Sequence, residues 1–315
     1  MFVRIFEANF KNLILETLMK GTFSSFYNPI EWYKAYKFNK ANSKYDKSQY
    51  DLELFLYSKI LKNDMLHFGY FKDTNVKAET ISIEQIEVAQ LEYAQNIISQ
   101  ISNKKDYVLD VGCGMGGLAK LMLDKKLKVE VLTPNKNQIE YISKKYESIV
   151  GYNCKFEEFE STKKYGTIIN SESLQYIKLD DAFKKIDAYL LTSGKWIVVD
   201  FFRLNDMGIN RSGHYLDVFK EKVSNFGWDI VVEQDITLNV LPTLSFANMY
   251  LERFLLPLKY FAFEKLRYKK AWLFYLTTKL RESIEHKINK ESAAISVDKF
   301  LNEKKYMLFV LEKKI

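Results

Sequence analysis

Four of the chain's 12 glycines fall within six positions, in the stretch VLDVGCGMGG (108–117). The apolar run before them and the helical run GLAKLMLDK after them make a strand, a turn and a helix. Glycine lets backbone approach a ligand at the end of a buried strand, where a Cβ would collide. Gly112, Gly114 and Gly117 also satisfy G-x-G-x-x-G, the spacing that seats a pyrophosphate on a helix start. The glycines by themselves therefore leave two ligand classes open. The next strand, KVEVLTP (128–134), runs into NKNQ and lacks the acidic residue that a nicotinamide site uses for its ribose hydroxyls. About a hundred residues precede the first strand, where dinucleotide domains often begin.

The elements that must hold this turn can be read from periodicity. SIEQIEVAQLEYAQNIISQIS (82–102) repeats its apolar residues at helical spacing. After it come strands at 107–112, 128–134, 165–173, 195–202, 228–236 and 305–313, with CKFEEF (154–159) as a weaker one. Helices are expected at 117–125, 137–148, 180–191 and 213–226, the third closed by Ser193 and Gly194. Strands alternating with helices imply a largely parallel α/β sheet, here Rossmann-like and seven-stranded with the last two strands as an antiparallel edge pair. The expected organisation is an N-terminal helical lid and extension (1–100), a ligand-binding core (101–236), a helical cap inserted between the last two strands (237–304) and a final core strand (305–315). A segment as long as 237–304 is no simple loop.

Composition narrows the setting. With 47% hydrophobic and 28% charged residues the chain is globular rather than disordered, and 4 prolines give little flexible linker. Cys113 and Cys154 form no CxxC, and His67, His214 and His286 are far apart, so no metal site is expected. With no signal peptide or spanning run visible, a cytoplasmic location is expected. The net charge of +7 suits an anionic surface. The cap interleaves Phe254, Tyr260, Phe261, Phe263, Tyr268, Trp272 and Tyr275 with Arg253, Lys259, Lys265, Arg267, Lys269 and Lys270. That mixture points to a hydrophobic substrate and to peripheral membrane contact, although aromatics at helical spacing more often fill a core. No nucleic-acid partner is expected, and oligomeric state is not legible.

The glycine stretch, with three other segments in the same order, resembles the cyclopropane-fatty-acid synthase and mycolic acid methyltransferase family. Relatives of that family act on tocopherols, sterols and prenyl diphosphates. KYDKSQYDLELFLYSKILKNDMLHFGYF (44–71) is similar to its cofactor-covering lid, VEVLTPNKNQ to its second-strand segment and KFEEF to its adenine-side segment. The resemblance spans about residues 40–235 and implies a class I methyltransferase fold that uses S-adenosylmethionine. It implies that Asp110, Gly112, Gly114 and Gly116 hold the methionine portion, that His67 and Tyr70 close over it, and that Thr133 and Gln138 bind ribose hydroxyls. Phe156 and Glu157 would sit at the adenine, and Asn170 would complete the cofactor-binding set.

Departures from that pattern matter as much. Where cyclopropane synthases hold a bicarbonate base, this chain has Phe68, Gln175 and Asp200. Cyclopropanation is demoted accordingly. NSESLQYIKLDDAF (170–183) is closer to the prenyl-diphosphate and tocopherol branch, with Glu172 at the position of that branch's acidic residue. The resemblance thus implies methyl transfer to a lipid-like or isoprenoid molecule, at carbon. Glu172 is the candidate base, Tyr176 and Gln175 would orient substrate, and Asp200 is a second carboxylate candidate. An N- or O-methyltransferase, a cyclopropane-synthase-like enzyme and a non-catalytic S-adenosylmethionine-binding partner protein remain as alternatives.

Overall fold

The computed structural model describes residues 28–42, 59, 62–205 and 212–314. Contacts divide the chain into two compact units, 1–52 and 53–315. In the first, α1 (Pro29–Asn42) exposes Trp32, Tyr33 and Tyr36. Most of the lid stretch expected at 44–71 lies outside the described residues, and its continuous described part begins at Lys62.

The second unit opens with α2 (Ile83–Ser99). Its start is fixed by Ser82, whose Oγ accepts from Gln85 N while Gln85 Oε1 accepts from Ser82 N. This reciprocal pair satisfies two donors that a helix start leaves open. Its buried face, including Tyr93, Ala94 and Ile97, packs into the sheet's core, so residues 62–100 belong with the sheet.

The sheet consists of β1 (Tyr107–Val111), β2 (Lys128–Leu132), β3 (Val150–Tyr152), β4 (Tyr165–Ser171), β5 (Leu190–Arg203), β6 (Trp228–Asp235) and β7 (Lys304–Lys313). Their order is β3-β2-β1-β4-β5-β7-β6. The first five pair in parallel, and β7 runs antiparallel between β5 and β6. Strand residues alternate between two cores. Val108, Val131, Ile197 and Val199 join α2, α3 (Gly117–Asp124) and α4 (Lys136–Lys145) on one face. Leu109, Leu132, Trp196 and Val198 meet α5 (Leu179–Tyr189) and α6 (Leu216–Asn225) on the other. Helices on both faces explain why the strands read as continuous apolar runs.

Two expected elements change. CKFEEF contains a 3-10 turn, Phe156–Glu158, and the strand lies earlier, at β3. Phe156 and Phe159, three apart, both join the same core, whereas a strand would send them to opposite faces. Ser193 and Gly194 do not close a helix before a separate strand. They form an irregularity inside β5, between the pairs Tyr165↔Leu190 and Thr167↔Lys195.

Between β6 and β7 the chain is helical. α7 (Thr237–Tyr250) runs through a π-helical stretch (Leu251–Leu255) into α8 (Leu256–Lys269), then α9 (Ala271–Leu276), α10 (Thr278–Ala294) and α11 (Val297–Glu303). Pro257, which has no N–H for the preceding helical carbonyls, stands just after the π-helical stretch.

Candidate active site

Strand order reverses between β1 and β4, and loops leaving the carboxyl ends of such neighbours diverge to leave a crevice. A cavity of about 510 Å³ sits there. Its wall comes from the end of β1 (Asp110–Gly114), the end of β2 (Leu132, Thr133, Pro134), the 3-10 turn (Phe156, Glu157) and the end of β4 (Ser171–Ser173).

Gly112 (φ +80°) and Gly114 (φ +56°) take left-handed backbone. A Cβ on Gly112 would lie 2.3 Å from Ser173 Cβ, so this glycine lets the β1 and β4 loops touch. Gly116 (φ +85°) is the residue before α3 and faces Ile142, away from the cavity wall. Its expected place in the cofactor set is corrected: helix packing requires it. A Cβ on Gly117 would lie 2.6–2.7 Å from backbone atoms of Asn63 and Asp64. The third glycine of the spacing therefore seats the residue 63–71 segment.

That segment is pinned along its length. Asp64 accepts from Tyr141 (2.9 Å) and Lys145 (2.5 Å) on α4 and from Tyr146 at its C-terminal cap. Gln90 Nε2 donates to the carbonyls of Met65 (2.9 Å) and His67 (2.8 Å). Phe68 N donates to Glu172 Oε1, Gly69 N to Thr243 Oγ1, Tyr70 N to Ala89 O and Phe71 N to Asn239 O. Tyr70 packs against the core and does not line the cavity, so its expected closing contact is not made; its amide is committed to α2.

His67 does line the cavity. Its Nδ1 donates to Phe68 O at 2.8 Å and its ring stacks on Tyr93 at 4.1 Å. Burial lowers its pKa to about 4, so the ring is neutral near pH 7. Its Nε2, buried and without a partner, is an acceptor. Asp110 is 2% exposed, its Oδ2 also has no partner, and burial raises its pKa to about 7. Buried polar atoms are seldom left unpaired, so both are positions for a ligand's donors.

Thr133 Oγ1 donates to Gln138 Oε1 at 2.8 Å, and both residues reach the wall. Phe156 and Glu157 line it together. Asn170 stands behind it, with Oδ1 accepting from Trp196 and Nδ2 donating to Ser173. Its expected cofactor contact is thereby corrected to support of the β4 loop, since its amide is already engaged.

Glu172 adopts φ +51°, uncommon for a side chain, and such strain concentrates at functional sites. Its N donates to Val199 O at 2.8 Å, while Oε1 accepts from Phe68 N and from the Tyr306 hydroxyl. Burial raises its pKa to about 7, the two hydrogen bonds holding it from rising further. Tyr306 also meets Tyr93 OH, which meets Ser171 Oγ. Tyr176 is at the mouth, 79% exposed. Gln175 and Asp200 are off the wall and bonded to each other, Gln175 N to Oδ2 at 3.1 Å. Burial, then the neighbouring Glu172 charge, raises the Asp200 pKa to about 8. As side chains touching substrate, Gln175 and Asp200 are corrected: Gln175, in the turn after β4, and Asp200, on β5, bond each other and neither lines the cavity.

Sequence reading missed Asp64, Tyr93, Ser173 and Tyr306. Tyr93 and Tyr306 sit at ordinary core positions of a helix and a strand, so only the fold joins their hydroxyls to Glu172. Among lining residues the carboxylates Asp64, Asp110, Glu157 and Glu172 outnumber the one lysine, Lys155. A pyrophosphate would face Asp110 unfavourably. A sulfonium with an ammonium group and ribose hydroxyls, as in S-adenosylmethionine, supplies the charge and donors these residues lack.

No family model matches the chain. A sterol 4-C-methyltransferase of Caenorhabditis elegans, strm-1, is 30% identical over 118 residues, covering 35% of this chain and 35% of that protein. The chain thus aligns with about a third of that curated relative's length. Among solved structures, the [4+2]-cyclase SpnF matches with a TM-score of 0.60 at 13% identity, covering 85% of this chain and 96% of that one. The geranyl diphosphate C-methyltransferase of Streptomyces coelicolor A3(2), solved with Mg2+, geranyl diphosphate and S-adenosyl-L-homocysteine, matches with 0.56 at 13%, covering 84% and 94%. The fold is that of the class I methyltransferases. SpnF carries the same fold under the name of a cyclase, so chemistry must be argued from the site.

Proposed function

We propose that the chain is an S-adenosylmethionine-dependent methyltransferase that methylates a lipid-like or isoprenoid small molecule at carbon. The observation that carries this reading is the unpartnered, buried Asp110 carboxyl in an acid-rich cavity at the strand-order reversal. The partial likeness to a sterol 4-C-methyltransferase supports the substrate class and the carbon acceptor.

Asp110 and Gly112 would hold the methionine end, His67 Nε2 would accept from above, and Thr133 with Gln138 would take the ribose hydroxyls. Phe156 and Glu157 would flank the adenine. Bound there, the cofactor supplies a methyl group already activated on a sulfonium, so the protein contributes alignment and electrostatics. Methylation of an alkene carbon leaves a substrate cation. Glu172, as the carboxylate, accepts the proton released from the adjacent carbon, and the C–H electrons close the new double bond. A pKa near 7 suits this, because both proton states are accessible near neutral pH. Tyr306 and Phe68 N fix Oε1, and the 63–71 segment limits water.

The test is Glu172→Gln with calorimetric titration and product mass analysis. Titration with S-adenosylmethionine and S-adenosylhomocysteine is expected to be unchanged, with NAD not bound. Turnover on a sterol and prenyl-diphosphate panel is expected to fall by about 10²–10⁴. Unchanged turnover would remove Glu172 as the base, and NAD binding in place of the S-adenosyl compounds would remove the cofactor reading.

A further inference from the structure

Along α8 and α9 no residue is buried, although α9 is apolar throughout and α8 interleaves aromatic and aliphatic residues with Lys259, Glu264, Lys265, Arg267 and Lys269. A helix as apolar as α9 is normally inside a water-soluble protein. Here Phe254, Leu258, Tyr260, Phe261, Tyr268 and Tyr275 are 58–78% exposed within one short stretch. Scattered exposed apolar residues are ordinary, but a run of this density marks a contact surface. The same stretch carries most of the chain's excess charge. Residues 251–281 hold eight Lys and Arg against Glu252 and Glu264, a net of +6 in a chain of +7.

We propose that the α8–α9 face docks on an anionic lipid surface, lying in the plane of the interface with its aromatics among the headgroups. Charge decides between the possible occupants. A second copy would set one +6 face against another, whereas an anionic leaflet is complementary. Aromatic rings and snorkelling Lys and Arg stems are the side chains that such an interface accommodates. Among the described residues no helix is long and apolar enough to cross a membrane, so the geometry is that of a helix pair lying on it. The face continues from α7, whose Asn239 and Thr243 hold residues 69–71 beside the cavity-lining His67. A lipid-bound enzyme of this shape would sit where a hydrophobic acceptor is concentrated. The docking itself is independent of the proposed reaction.

The test is co-sedimentation of the full chain with phosphatidylcholine vesicles, with and without phosphatidylserine, and without any methyl acceptor. Binding is expected only with phosphatidylserine, and raising the salt is expected to weaken it about tenfold or more. The combined variant Tyr260→Ser, Phe261→Ser, Tyr268→Ser and Tyr275→Ser, or the combined variant Lys265→Gln, Lys269→Gln and Lys279→Gln, should each abolish it. Thermal melting and cofactor titration of both variants should stay as in the parent. Three results overturn the proposal. One is no vesicle binding by the parent, another is binding insensitive to both variants, and the third is a self-associated parent that the variants dissociate.

Discussion

Around the cavity, polar groups are buried and each has an assigned place; across α8 and α9, apolar groups are exposed and any one resembles its neighbours. Asp64 takes three donors from α4 and its C-terminal cap, Glu172 takes two on a single oxygen, and Asp110 Oδ2 and His67 Nε2 wait for donors. Along α8, by contrast, Arg267 pairs with Glu264 and Lys265 lies over the Phe261 ring, each within one turn of the same helix. The first pattern recognises one molecule in one pose, because an unpaired buried group rejects a poor match at the cost of a lost hydrogen bond. The second pattern sums many weak, interchangeable contacts, which suits a fluid surface.

The strongest way to break this contrast is at Gly112. An alanine there would need a left-handed φ and would place its Cβ 2.3 Å from Ser173 Cβ. Ser173 bonds Val111 O, so the β1 and β4 loops would have to part. Gly112→Ala is expected to cost about 2–4 kcal/mol in denaturant unfolding and to remove cofactor binding. Retained binding with parent stability would show that the loops are less closely fitted than the geometry says.

The contrast also explains what the sequence disclosed. Sheet, cofactor turn and helix order were legible because buried parallel strands and glycine turns leave local patterns. Glu172 was legible because it follows a readable strand. Its partners were not: Tyr93 and Tyr306 are 213 residues apart, and each satisfies its own element's apolar pattern before it serves Glu172. Gly116, Tyr70 and Asn170 were misplaced for a related reason. A motif marks a neighbourhood, but which of its members face the ligand depends on packing partners such as Ile142, Ala89 and Trp196. KFEEF misleads because its short apolar pattern fits a strand, and only the packing of Phe156 and Phe159 into one core makes it a turn.

A smaller effect lies in the pH dependence of stability. Asp110, Glu172 and Asp200 are raised to about 7, 7 and 8 by burial, so from about pH 4 to 8 the folded chain holds protons that the unfolded chain releases. Their contribution to stability therefore falls as pH rises through that window. His67, lowered to about 4, acts in the opposite sense between pH 6.5 and 4, but as one group against three. The cofactor-free protein should melt lower at pH 8.5 than at pH 5. Asp200→Asn should flatten that dependence by more than a third, since it removes the largest of the three shifts. An unchanged slope would mean that these carboxyls ionise freely. Glu130 shows why burial alone is not the cause. Less deeply set, it accepts from Lys163, Tyr165 and Tyr152, and those bonds outweigh a smaller burial penalty and lower its pKa.

The finest comparison is between two tyrosine hydroxyls. That of Tyr306 is buried and donates to Glu172, while Tyr268 is 78% exposed on α8. Tyr306→Phe removes one of two bonds that favour the Glu172 anion, so the carboxyl should titrate still higher. Under the proposed reaction, the pH at which turnover reaches half its plateau should move upward, with a stability loss of about 1 kcal/mol. Tyr268→Phe should leave both readings unchanged, because its hydroxyl already meets water. An alkaline shift in the first variant alone would tie Tyr306 to proton transfer rather than to packing. A drop in rate at every pH with no shift would make Tyr306 a structural residue, and the cavity would then be less individually assigned than its hydrogen bonds imply.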